Sequence, residues 1–206
     1  MANIQKNKLR KIKTLYFERK LSMREIAEKL GVSMDAIVYF MRKNKIARRS
    51  LKETRALIFK NKKLSFKEKR ELSWNQERLK LAGLILYWAE GYKTIKSSGI
   101  DFANSDVGMV ALFVKFLRVI YKVDEKRFRI LLYCYANQNI SSLIKFWSKL
   151  TGISKKQFSK PYIRTDFRKD GRKMKYGMVH IRYADKKLFL SIMKSVEEVK
   201  LKMRRW

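Results

Sequence analysis

An α+β fold is predicted by a change of period along the chain. As far as Glu90 the apolar residues recur at helical spacing; beyond Gly91, alternating runs are interleaved with further helical stretches. Turn residues punctuate these runs, which is the pattern of a mostly antiparallel sheet with helices packed on one face. Apolar residues make up 46% of the chain and aromatics 13%, enough to build a core and too many for a disordered basic tail.

Residues 1–50 read as a helix-turn-helix module of three short helices. The first covers roughly Lys11–Arg19, with Leu15 and Phe17 supplying apolar contacts. Ser22 and Glu25 form a capping box that starts the second, whose buried face is Ile26, Ala27 and Leu30. Gly31 ends it in a left-handed turn, and Ser33 caps a third helix that buries Ile37 and Phe40. The small Ala27 lets the last two helices cross closely.

Residues 51–72 read as a basic helical linker, with a capping box at Ser65 and Glu68. A further box, Ser73 to Gln76, opens a helix to about Glu90. Its second half, LAGLILYWA, is apolar on every side, so a buried helix is expected. In the 73–206 domain, YKTIKSS and GIDFANSD then read as two strands around a turn near Ser97–Gly99, and VGMVALFVKFLRVIY as a helix. RFRILLYCYA alternates, with Phe128, Ile130, Leu132 and Cys134 on one face and Arg129, Leu131, Tyr133 and Tyr135 on the other. ISSLIKFWSKLTGI is an amphipathic helix ended by Gly152. KPYIRTDF and KYGMVHIRYAD suggest a hairpin with the basic tip RKDGRK, and ADKKLFLSIMKSVEEVKLKM a closing helix. The predicted order is α-β-β-α-β-α-β-β-α.

Charge narrows the partner. With 51 Lys and Arg against 18 Asp and Glu, the formal net charge is +33. A folded body with that excess repels itself unless a polyanion neutralises it, and nucleic acid is the commonest one. A lysine-rich genome composition is the plainer source of part of the excess. No basic amphipathic helix has the Trp and Leu face of a membrane-surface binder, and the longest apolar run, Leu81–Ala89, is too short for a bilayer. No signal peptide is expected from MANIQKNKLRKIK, which points to a cytoplasmic, nucleoid-associated protein. One cysteine and one histidine exclude an intrachain disulfide and a His/Cys metal cluster within one chain.

The stretch Leu84-Ile85-Leu86-Tyr87-Trp88-Ala89-Glu90-Gly91 resembles the signature helix of the LAGLIDADG homing endonucleases, with Ala89-Glu90-Gly91 matching its end. Phe102, Asn104, Ser105 and Asp106 before an apolar helix, and the FWSKLTGI stretch, are also similar to that family. The likeness spans roughly residues 75–200. It implies double-stranded DNA as partner, a homodimer through the helix 75–90, and Glu90 as the catalytic carboxylate and Mg²⁺ ligand, one from each signature helix. Ile85 and Trp88 stand where the family has its central Gly and first acid. A non-catalytic transcriptional regulator on the same fold is therefore the alternative, and RNA binding a third reading. An exposed Glu90–Lys93 pair is the plainer alternative for the carboxylate.

The remaining candidate residues follow from position. Met34, Asp35, Val38, Tyr39 and Arg42 face outward from the second helix of the helix-turn-helix, where they would meet base edges; Lys43, Lys45, Arg48 and Arg49 would hold phosphates. On the sheet, Arg129, Tyr133, Tyr135, His180 and Arg182 alternate outward, with Lys93 and Lys96 on the first strand and Arg172, Lys173 and Lys175 at the basic hairpin. The simpler reading of these residues is an ordinary solvated face.

Overall fold

A computed structural model describes residues 8–165 and 174–204. The chain divides into two compact units, Met1–Lys63 and Leu64–Trp206, and the described residues of each have their own core.

The first unit is helical. Helix α1 (Leu9–Lys13) continues as a π-helical turn over Thr14–Glu18, followed by α2 (Met23–Leu30), α3 (Met34–Lys43) and α4 (Leu51–Asn61). The Ser22–Glu25 capping box is present at the start of α2: Glu25 N–H donates to Ser22 Oγ (3.2 Å) and Ser22 N–H donates to Glu25 Oε2 (2.7 Å). Gly31, at φ 64°, makes the left-handed exit that a residue with a Cβ adopts only with strain. Ser33 Oγ accepts from Ala36 N–H at the start of α3. Ile12, Leu15, Tyr16, Ile26, Ala27, Ile37, Phe40, Met41 and Ile46 form the core. In the first helix Tyr16 is buried with Leu15 and Phe17 is exposed, because the π-turn rotates the inward face away from α-helical spacing.

Helix α4 is opened by a box at Ser50 and Glu53. The box expected at Ser65 and Glu68 opens no helix. Ser65 Oγ instead donates to Asp185 Oδ2 (2.5 Å), and the amides of Lys67 and Lys69 donate to the carbonyls of Tyr121 and Ile120. These bonds satisfy carbonyls in the last turn of the helix Val107–Tyr121, which its own hydrogen bonds leave open. Segment 64–72 is thus an extended strap on the second unit rather than helical linker.

The second unit contains α5 (Trp74–Glu90), β1 (Ile100–Asn104), α6 (Val107–Tyr121), β2 (Phe128–Tyr135), α7 (Ile140–Thr151), β3 (Tyr162–Arg164), β4 (Met178–Tyr183) and α8 (Lys186–Met203), making an α+β fold. The sheet order is β1-β4-β2-β3, with β1/β4 and β4/β2 antiparallel and β2/β3 parallel. The expected hairpin is therefore absent. β3 and β4 lie on opposite sides of β2, and the expected tip RKDGRK lies outside the described residues. The strand expected over YKTIKSS is reduced to a bridge between Gly91 and Phe102, since Ser97 N–H donates to Thr94 O and closes a turn there.

Along β2 and β4 burial alternates strictly, so one sheet face is covered and the other is open. The covered face carries Phe102, Phe128, Ile130, Leu132, Cys134, Val179 and Ile181 against α5, α6 and α8. Gly83 permits the closest helix contact: a Cβ there would lie 2.2 Å from the Phe116 ring on α6. α5 is not buried all round as expected. Gly83, Leu84 and Tyr87 face the core, while Leu81, Ile85 and Trp88 are exposed, a stripe at i, i+4 and i+7. On that side the Lys200 ammonium of α8 lies 5.2 Å from the Trp88 ring centroid, while Leu81 and Ile85 stay exposed.

Candidate nucleic-acid interface

In the first unit, the two caps and the Ala27 crossing set α3 against α2 with one flank outward. Met34 (45%), Tyr39 (54%), Asp35 and Arg42 are exposed on it, and Val38 is half-buried. Arg42 and Lys43 both approach the Tyr39 ring, each 5.9 Å from its centroid. This places a flat aromatic surface beside two cations, suited to a base edge or sugar beside phosphate. Lys45 adopts a positive φ of 52° and carries the chain away from α3, with Arg48 exposed beyond it. The capping bonds from Ser22 hold the Glu25 carboxyl below its ordinary range.

Arg49 differs from its expected role as a phosphate contact. Its guanidinium lies 4.0 Å above the Tyr16 ring and donates to the carbonyls of Lys20 and Leu21, while its amide donates to Tyr16 Oη (2.8 Å). It therefore braces the module from within. A basic cleft formed by Arg10, Lys11, Arg19 and Lys29 with Thr14 and Leu15 escaped the sequence reading. Its signal was the run of cations through the first helix, which reads as charge alone until the fold groups it.

In the second unit the open sheet face brings Asp101 of β1, Arg129 and Tyr133 of β2, Tyr162 of β3, and His180 and Arg182 of β4 together by register. His180 Nδ1–H donates to Asp101 Oδ1 (2.7 Å), and Arg182 Nε–H donates to Asp101 Oδ2 (2.8 Å). Burial works to raise the Asp101 pKa, but the hydrogen bond and charge of His180 and the Arg182 guanidinium outweigh it and hold the carboxyl below its ordinary value. Asp101 was not foreseen, although its place between the inward Ile100 and Phe102 turns it outward.

Other expected contacts are partly engaged. Arg129 folds back and donates to the carbonyls of Lys126 and Phe128. The ring of Tyr135 lies beneath Arg164 at 5.9 Å, and Lys175 sits 5.2 Å from the Tyr176 ring. Lys93 Nζ donates to the carbonyls of Trp88 (2.8 Å) and Gly91 (2.9 Å), so it closes the C-terminal end of α5 instead of pairing with Glu90. Lys96 is exposed on the following turn. Arg172 and Lys173 lie outside the described residues.

Glu90 ends α5 with its side chain exposed. Among the described residues no group of three or more His, Cys, Asp or Glu side chains comes together as a metal site. A Mg²⁺ site built on Glu90 would take its other oxygen ligands from water, substrate phosphate or a second copy of the chain. No helix among the described residues is long and apolar enough to cross a membrane. Comparison with family models, curated proteins and solved structures finds no match to this chain.

Proposed function

We propose that the protein binds double-stranded DNA through its helix-turn-helix. The observation that carries this reading is the outward flank of α3, where Arg42 and Lys43 both approach the exposed Tyr39 ring and Met34 and Asp35 are exposed on the same helix. A helix presenting polar and aromatic side chains in this way enters the major groove, and flanking cations hold the backbone. Arg42→Ala is expected to weaken specific duplex binding by about 1–3 kcal/mol in a titration against sites selected from a randomised library. Unchanged specific binding removes α3 from recognition.

The second unit is, in this reading, a LAGLIDADG-type domain. The partly exposed stripe Leu81, Ile85 and Trp88 supports a homodimer through α5, because an apolar ridge of this kind is suited to a second copy. Such a dimer would supply two Glu90 carboxylates, and Mg²⁺ held there would assist phosphodiester hydrolysis. Trp88, standing where the resembled family carries its first acid, favours the second reading, a regulator that binds without cutting. Incubating the duplex library with Mg²⁺ separates the two. A nuclease yields cut sites that disappear in Glu90→Gln while affinity persists; a regulator yields enriched sites and no cuts. Cutting by Glu90→Gln itself excludes Glu90 from the chemistry.

A further inference from the structure

On the open sheet face three rings form a row across three neighbouring strands. Tyr162 of β3 stands in register with Tyr133 of β2, their centroids 4.8 Å apart. Tyr133 in turn stacks on His180 of β4 at 4.9 Å and 30°. The inner end of the row is fixed, because Asp101 holds the His180 ring by its Nδ1–H and is itself held by Arg182. Among the described residues the outer end is open. Tyr162 lies on the edge strand and is 56% exposed, with Tyr133 against one side of its ring.

A fixed row of rings that ends in an exposed aromatic face can be extended by another flat π system without rearrangement. The setting selects what carries that system. Arg164 follows two residues along the same face, Arg182 lies at the other end, and the whole chain carries +33. A planar ring attached to a polyanion is a nucleobase. In a duplex the base faces are hidden within the stack, whereas a single strand can splay a base out onto a sheet aromatic.

We propose that the open sheet face of the second unit binds single-stranded DNA, with an unpaired base stacking on Tyr162 at the open end of the Tyr162–Tyr133–His180 row. The choice of DNA over RNA rests on the duplex-binding reading of the helix-turn-helix. Because every base has a π face, sequence preference at this site is weak.

The test uses the full chain and a thymidine strand carrying one fluorescent adenine analogue whose emission stacking quenches. The duplex of the same sequence and the matching RNA strand serve as comparisons. Wild-type protein is expected to bind the DNA strand with quenching. Tyr162→Leu is expected to bind it roughly tenfold more weakly without quenching, Tyr162→Phe to retain both properties, and duplex affinity to stay unchanged in each variant. Wild-type strand affinity in Tyr162→Leu overturns the proposal, and so does a Tyr162→Phe variant that fails as Leu does. Tighter, Tyr162-dependent binding of the RNA strand overturns the assignment to DNA. Arg42→Ala in parallel keeps the two readings apart. Unchanged duplex binding there marks failure of the helix-turn-helix reading, and unchanged strand binding in Tyr162→Leu marks failure of this one.

Discussion

At the scale of single residues, Asp101 is where the sheet face stores its electrostatics. Its carboxylate takes one hydrogen bond from His180 and one from Arg182, and its side chain is only 25% exposed. Asp101→Asn keeps the shape but removes the charge that both partners meet. We expect a loss of about 1–3 kcal/mol at pH 7, as for a charge-assisted bond broken in a partly buried site. The sign with pH follows from the depressed folded pKa. Stability from Asp101 is fully present above its unfolded value and is lost as pH falls through the folded one. Urea titrations should therefore show the gap between wild type and Asp101→Asn narrowing as pH drops below about 4. A gap that stays constant from pH 7 into that range would show that the carboxylate's charge contributes nothing.

At the scale of elements, legibility tracks how local the deciding interaction is. The caps at Ser22, Ser33 and Ser73 were readable because donor and acceptor lie within three residues, and the structure forms helices at each. Ser65 offers the same local motif, but Asp185 and the carbonyls of Ile120 and Tyr121 compete for its segment from far along the chain and win. Alternation placed Tyr133, His180 and Arg182 on one face correctly, since period and pleat are local properties. Which strands become neighbours is not local. The parallel pairing of β3 with β2, and hence the meeting of Tyr162 with Tyr133, had no trace in either segment alone. The apolar run in α5 was legible as apolar but not as half exposed, because composition records what a helix could bury and not whether a partner is present. Arg49 failed for a related reason: a guanidinium reads as surface charge until its ring partner, Tyr16, is brought under it by the fold.

At the scale of the whole molecule the charge is spread over both units but not evenly. Met1–Lys63 has 19 Lys and Arg against 5 Asp and Glu, and Leu64–Trp206 has 32 against 13, so the smaller unit carries the denser excess. If that excess is used on a polyanion, duplex affinity must fall steeply with salt, because each neutralised phosphate releases a counterion. Six to ten phosphate contacts would weaken binding by roughly 10³–10⁵ between about 50 and 200 mM salt. Two substitutions in the first unit then separate its roles. Arg48→Ala, an exposed cation beyond α3, should weaken all sequences alike and lower the logarithmic salt slope by about one. Arg42→Ala, beside Tyr39 on the recognition flank, should lower discrimination between sites more than it lowers the slope. The measurement is fluorescence anisotropy of the full chain on a selected and a scrambled duplex across that salt range. A slope near zero would mean that the positive surface is not matched to phosphates at all, and the helix-turn-helix would then have to be read as a packing element rather than a DNA-binding one.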